Sequence, residues 1–141
     1  MATELTIHAV HQGGMRFTAG NGTHEVKVDY PLEPGDPGTG LRSLELLLAS
    51  LATCAGNTLA LLLGRMEQPF TGLEVDARAA RREEHPTVLT EISLEFAVHG
   101  AGVDRAAVEK AVAVAETQLA PVWIMVKAGT PITTSIRLDD A

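Results

Sequence analysis

The feature that most constrains the fold is a run of twenty almost wholly apolar residues, LELLLASLATCAGNTLALLL, at positions 44–63. The run contains one charged residue, Glu45, and the only cysteine of the chain, Cys54. It is too long for a β-strand and it is rich in leucine and alanine, so it predicts an α-helix. Ser43 is the expected N-cap of this helix.

A helix that is apolar on every side has three interpretations: a membrane span, a core helix, or a helix that places a reactive thiol in a pocket. The run is long enough to span a bilayer. Against a span, Ser50, Thr53, Asn57 and Thr58 lie in its middle, and neither end carries a Trp or Tyr. We therefore expect a helix buried on all sides. One sheet of a small domain cannot cover every face, so we expect a second copy of the chain to cover the rest.

Alternating apolar and polar residues predict β-strands on both sides of this helix. Six strands are expected, at residues 3–11, 15–19, 23–30, 71–83, 87–100 and 131–138. The first strand should have one buried face, and Asn-Gly within 20–22 marks a hairpin turn. A second helix should begin after Asp104 as N-cap and end at Pro121. The order βββ-α-ββ-α-β, with strands in hairpins, predicts an α+β fold with antiparallel pairing in one domain, residues 1–141.

Composition excludes several classes of function. The formal net charge of −7 argues against binding to nucleic acid or to an anionic membrane surface. A single cysteine excludes an internal disulfide and any zinc site built from several cysteines, and the five histidines form no ligand pattern, so no metal is expected. The GDPGTG loop lacks the Gly-Lys-Ser/Thr of a phosphate-binding loop, so no nucleotide cofactor is expected either. The first ten residues show no secretory signal, which favours the cytoplasm.

Element order and four segments together match a known pattern. The segments are GGMRF (13–17), EVKVDYPLEPGDPGTG (25–40), SLELLLASLATC (43–54) and AETQLAPV (115–122). Over almost the whole chain, this pattern resembles the OsmC/Ohr family of osmotically inducible and organic-hydroperoxide-resistance proteins. The resemblance implies an intertwined homodimer, with central buried helices between antiparallel sheets and two active sites at the subunit interface.

The resemblance also implies a set of catalytic residues. Family members reduce organic hydroperoxides with a reactive cysteine, an arginine and a glutamate, which correspond here to Cys54, Arg16 and Glu45. From the residues alone, Glu45 lies two and a half helical turns before Cys54, so the two do not stack on one face, and Glu45 is equally suited to cap the helix start. The second, resolving cysteine of the family is replaced by Ala120 in LAPV.

Two functions follow from this pattern. The first is thiol-dependent reduction of organic hydroperoxides by a one-Cys, peroxiredoxin-like enzyme in oxidative stress defence, with an external thiol as reductant. The alternative is a non-catalytic dimer that binds a small apolar ligand or a thiol conjugate at the subunit interface, because Ala120 cannot resolve an oxidised Cys54.

Overall fold

The computed structural model describes residues 3–140. They form two compact units, the first ending at Leu47 and the second beginning at Leu48. The strands are β1 His8–His11, β2 Phe17–Gly20, β3 Glu25–Val28, β4 Gly72–Arg81, β5 Leu89–His99 and β6 Ile132–Asp139. The helices are α1 Ser43–Arg65, α2 Arg105–Val114 and α3 Pro121–Lys127, with a π-helical turn, Ala115–Leu119, between α2 and α3. The predicted α+β class is confirmed.

The first unit contains an antiparallel sheet in the order β1-β2-β3. The predicted hairpin between β2 and β3 is confirmed, and the side chain of Asn21 closes it by accepting hydrogen bonds from the backbone N–H groups of Thr23 (2.9 Å) and His24 (2.8 Å). Gly22 has a φ of 97°, a left-handed conformation that favours glycine at this turn.

This first sheet has no apolar core of its own. The prediction of a buried face on the first strand is wrong, because all four residues of β1 are exposed. Between residues 3 and 47 only Asp29 is buried. Strands of four residues form a small sheet, and no helix of this unit packs a buried apolar layer against it. The apolar side chains of Val10 and Phe17 are each 42% exposed.

The second unit contains a sheet in the order β4-β5-β6. β4 and β5 pair antiparallel as predicted, from Gly72 opposite His99 onward. β5 and β6 pair parallel, with Ile92 opposite Ile132, so the prediction of antiparallel pairing throughout is wrong for this pair. The reason is the connection: parallel neighbours need a long crossover, which α2 and α3 supply.

The helical part of this crossover differs from the prediction in one respect. Asp104 caps α2 as expected, and its side chain accepts a hydrogen bond from the N–H of Ala106 at 3.1 Å. The helical turns that follow α2 end at Leu119, just before Pro121 as predicted, but a further helix that was not predicted begins at Pro121. Pro121 occupies the first turn of α3, where its fixed φ suits a helix start and its missing N–H costs no hydrogen bond.

The hydrophobic core of the second unit lies between its sheet and its helices. Within β5, alternate residues face the core from Ile92 onward, since Ile92, Leu94, Phe96 and Val98 are all buried, whereas Thr90 on the same face is exposed. The α1 residues that pack into the same cluster are Leu51, Ala55, Leu59, Leu62 and Leu63. Trp123 is fully buried beside them, with its ring stacked on Phe96 at a centroid distance of 5.8 Å.

The core cluster of the second unit covers only one side of α1. Thr53 and Asn57 are exposed, and Leu61 is 51% exposed on the same side of the helix. Within residues 3–140, α1 is the one helix whose length and composition would allow it to cross a bilayer. Its leucine-rich inner side instead forms part of the core.

Candidate functional site

Cys54 lies in the middle of α1 as a half-buried free thiol. It packs against the edge of the core cluster. Its carbonyl oxygen accepts a hydrogen bond from the hydroxyl of Thr58 at 2.9 Å. Because residues three and seven positions further along lie on the same helical face, Cys54 shares its side of α1 with Asn57 and Leu61. The thiol therefore lies at the border between the buried and the open sides of the helix.

Glu45 lies in the first turn of α1 and caps the helix. Its Oε1 accepts a hydrogen bond from the N–H of Arg42 at 2.9 Å. The carbonyl of Arg42 accepts the first helical hydrogen bond, from Leu46 at 2.8 Å. Arg42 is thus the N-cap, and the prediction of Ser43 as N-cap is wrong by one residue. Of the two roles that the sequence left open for Glu45, the structure shows the cap, in the manner of a capping box.

Arg16 lies in the tight turn that joins β1 to β2. Its backbone closes the turn through hydrogen bonds with Gly13 and Gln12, at 3.0 and 2.8 Å. Its guanidinium Nη2 donates to the carbonyl of Gln12 at 3.1 Å, and the side chain is exposed. The side chain of Arg16 therefore reaches solvent from a fixed backbone.

A cleft of about 270 Å³ in the first unit contains Arg16, together with a carboxylate that the sequence analysis did not single out, Asp29. Asp29 is only 7% exposed. Its Oδ2 accepts hydrogen bonds from the backbone N–H and the hydroxyl of Thr39, at 3.0 and 3.2 Å. The N–H of Thr39 is the main cause of a lowered pKa at Asp29, which the positive charge of Arg16 also favours and burial opposes. The sequence signal was an aspartate at a strand end just before a Pro- and Gly-rich loop.

The lowered pKa of Asp29 predicts a dependence of stability on pH. A carboxyl group whose pKa is lower in the folded than in the unfolded chain stabilises the fold fully above its unfolded pKa of about 3.9. That contribution disappears as the pH falls through the folded pKa. Asp29→Asn should therefore lower the urea midpoint at pH 7, and the difference from the original protein should narrow below about pH 4, at equal protein concentration. A difference that stays constant from pH 7 to pH 3 would contradict this assignment.

Ala120, which stands where the resemblance places a resolving cysteine, is fully buried. It has an extended backbone (φ −85°, ψ 99°) between the π-helical turn and α3. The N–H of Ala120 donates to the carbonyl of Ala115 at 2.9 Å. The position is thus part of the core and presents a methyl group, so it offers no second thiol.

The three predicted site residues are divided between the units. Arg16 and Glu45 belong to the first unit and Cys54 to the second. A separate groove of about 350 Å³ lies in the second unit between α1 and β4. Its lining residues are Ala52, Thr53, Gly56, Asn57, Ala60, Leu73 and Val75. Cys54 is not among them, so the groove and the thiol are distinct features of the same helix.

Comparison with known proteins identifies similarities over most of the chain. Residues 35–135 match the family model described as OsmC-like protein. The curated protein YhfA of Escherichia coli strain K12 is 30% identical over 95 residues, which cover 67% of this chain and 71% of YhfA.

Two solved structures show the same fold. An OsmC-like protein from Mycoplasma pneumoniae has a TM-score of 0.86 at 19% identity and covers 99% of both chains. An organic hydroperoxide resistance protein from Elizabethkingia anophelis has a TM-score of 0.66 at 20% identity and covers 100% of both chains. At these identities, the two structures support the fold class alone.

Proposed function

Because the chain belongs to the OsmC-like protein family, we propose that it reduces organic hydroperoxides through Cys54, as a one-Cys enzyme of oxidative stress defence. The observation that carries this proposal is the position of the only thiol of the chain: free, half-buried and at the border of the open side of α1. The proposal is also consistent with the shared fold of the organic hydroperoxide resistance protein from Elizabethkingia anophelis. A cytoplasmic location is part of this proposal, because such an enzyme needs a supply of reducing thiols.

The reaction begins with the Cys54 thiolate, the nucleophilic form of the side chain. It attacks the terminal oxygen of a hydroperoxide ROOH, the O–O bond breaks, and the alkoxide leaves and takes up a proton to become ROH. Cys54 is thereby oxidised to a sulfenic acid. An external thiol then attacks the sulfenic sulfur and releases water, and a second thiol reduces the resulting mixed disulfide.

Arg16 and Glu45 have supporting roles in this proposal. The guanidinium of Arg16 binds the peroxide and stabilises the negative charge that develops on the leaving oxygen. Its exposed position at the end of a rigid turn suits a group that must reach a substrate. Glu45 holds the first turn of α1 through its bond to Arg42, which fixes the start of the helix that carries the thiol.

We further propose that the working form is a homodimer. Two observations support this: the open side of α1 exposes Leu61, and the first sheet buries no apolar residue of its own. An exposed leucine such as Leu61 gains stability when a second surface covers it. A second copy that covers the open side of α1 would also approach the thiol of Cys54.

The direct test of the function measures the oxidation of Cys54 by a single equivalent of peroxide. Reduced protein treated with one equivalent of cumene hydroperoxide should gain one oxygen atom at Cys54, and dimedone should trap the product as a sulfenic acid adduct detectable by mass spectrometry. With dithiothreitol or dihydrolipoamide in excess, the enzyme should produce cumyl alcohol over many turnovers. Protein that shows neither the adduct nor turnover above the buffer rate would refute the proposal.

A second function is favoured by two observations: the groove between α1 and β4, and the buried Ala120 in place of a second cysteine. In this case, the protein is a non-catalytic dimer that binds a small apolar molecule or a thiol conjugate. Native mass spectrometry of the purified protein should then show a bound small molecule. Protein that carries no such mass and turns over peroxide would exclude this alternative.

A further inference from the structure

We propose that the indole N–H of Trp123 donates a hydrogen bond to the oxygen that Cys54 gains on oxidation, and so protects the sulfenic acid until an external thiol arrives. The inference rests on the proposed function, because it concerns the intermediate of that reaction. It deepens that function by assigning a role to a buried polar atom that otherwise has no partner. Both residues belong to the second unit.

The indole nitrogen of Trp123 is the first part of the argument. The side chain is fully buried and stacks on Phe96. Within residues 3–140, its Nε1 is the one buried side-chain nitrogen or oxygen atom that has no hydrogen-bond partner. A donor buried without an acceptor destabilises a fold, so native structures rarely contain one without a reason. Trp123 therefore requires an acceptor that the reduced protein does not supply.

The surroundings of Trp123 contain few acceptors. Between residues 48 and 140 the structure shows no buried polar or charged side chain. Of the apolar side chains that form the core cluster or pack against it, only Cys54 and Met66 carry a sulfur atom. A thiol is a weak acceptor, whereas the sulfenic acid that forms from it carries an oxygen atom. Oxidation of Cys54 therefore creates a new acceptor at the edge of this core.

The strand register places Cys54 level with Trp123 along the core. Val75 of β4 lies opposite Phe96 of β5, on which Trp123 stacks. A Cβ atom at Gly56 would lie 3.2 Å from Cγ2 of Val75, so α1 crosses the sheet at this row. Cys54 precedes Gly56 by two residues, which is about 3 Å along the helix axis. The thiol therefore lies at the height of the Phe96–Trp123 pair.

The direction of the thiol fits the same arrangement. Residues two positions apart in an α-helix point about 200° apart, so Cys54 and Gly56 face opposite sides of α1. Gly56 faces β4 and Ala55 faces the core. The thiol therefore lies on the side of the crossover, whose helix α2 packs against β6 and whose helix α3 carries Trp123. Met66, the other sulfur, lies about 15 Å beyond Gly56 along the axis.

The consequence concerns the lifetime of the oxidised enzyme. Because Ala120 offers no second thiol, Cys54 keeps its oxygen until an external thiol arrives. During this time the sulfenate can attack a second hydroperoxide, which converts it to a sulfinate and releases a second alcohol, and thiols do not reverse that step. A rotation about the Cα–Cβ bond of Cys54 turns the oxygen toward the core, where the N–H of Trp123 binds it and lowers its reactivity toward peroxide.

A single spectral signal reports on this contact, because the chain has one tryptophan and one cysteine. In the ¹H–¹⁵N spectrum of the full-length protein, the indole N–H signal should move downfield after one equivalent of cumene hydroperoxide and return after dithiothreitol. Cys54→Ser treated in the same way should show no movement, which excludes methionine oxidation as the cause. An unmoved signal in protein whose sulfenic acid dimedone traps overturns the inference. Protein in which Cys54 gains no oxygen refutes the proposed function, and the inference with it.

A second measurement follows overoxidation by mass spectrometry, as the gain of a second oxygen atom at Cys54 in excess cumene hydroperoxide. Trp123→Phe removes the N–H and keeps an aromatic ring beside Phe96, so sulfinic acid should form about fivefold faster or more. Phe96→Leu is the matched control: it also disrupts the aromatic pair but keeps the N–H, and its rate should stay within about twofold of the original. Equal rates in the original protein and in folded Trp123→Phe contradict the protective role. If the variants do not fold, the indole signal of the original protein decides.

Discussion

Replacing Cys54 with serine is expected to abolish peroxide consumption, with kcat/KM at least about 100-fold lower than in the original protein. Serine has nearly the same volume, so the helix should be unaffected. Its hydroxyl, however, is not ionised near neutral pH, and an alcohol oxygen does not take up the oxygen of a hydroperoxide. The chain has no other thiol to take over the reaction. The measurement is the initial rate of cumene hydroperoxide loss with dihydrolipoamide in excess.

The single cysteine makes a chemical control possible. Iodoacetamide can alkylate only Cys54, so alkylated original protein should lose its activity to the same degree as Cys54→Ser. Thermal unfolding of the variant should match that of the original protein, which separates loss of chemistry from loss of fold. A variant that keeps more than about a tenth of the rate would mean that the thiol is not the reacting group.

Replacing Leu61 with glutamate is expected to convert the proposed dimer into a monomer. Leu61 is half-exposed on the open side of α1, which the second copy is proposed to cover. A carboxylate buried there without a partner costs several kcal/mol, so the dimer dissociation constant should rise by about 100-fold or more. Sedimentation velocity at micromolar concentration measures the change directly. Peroxide reduction should fall with the dimer, if the active site needs both copies.

Met125 provides the control for this variant. It is 75% exposed on α3, more than Leu61, so Met125→Glu places the same charge on an apolar position outside the open side of α1. Its sedimentation coefficient should equal that of the original protein. If both variants dissociate, dimer formation depends on exposed apolar residues in general and not on the open side of α1. If Leu61→Glu stays dimeric, the second copy does not cover this side of α1.

The sequence predicted the features that depend on local pattern. The apolar run specified α1, Asn-Gly specified the hairpin at Asn21 and Gly22, and the alternation from Ile92 to Val98 specified the buried face of β5. Each of these signals lies within a short window, where periodicity or turn chemistry decides the conformation. The OsmC-like resemblance was likewise carried by contiguous motifs.

What the sequence did not predict depends on longer-range relations. The alternation in β6 identifies a strand but not the direction of its neighbour, which follows from the path of α2 and α3. Proline is common both after a helix end and at a helix start. The conformation of the turn before Pro121 determines that it begins α3. The burial of Asp29 arises when the loop closes and brings Thr39 to it across ten residues, a spacing without a periodic signal.

The parallel pairing of β5 and β6 also has a consequence during synthesis of the protein. β5 ends at His99 and β6 begins at Ile132, so about thirty residues are translated before β5 obtains its second neighbour. At translation rates of about 5–20 residues per second, the nascent β4–β5 hairpin presents an unpaired edge for seconds. One face of that hairpin carries several large apolar side chains of the core, including Phe96. Conditions that slow translation across α2 should therefore favour aggregation of nascent chains at the edge of β5.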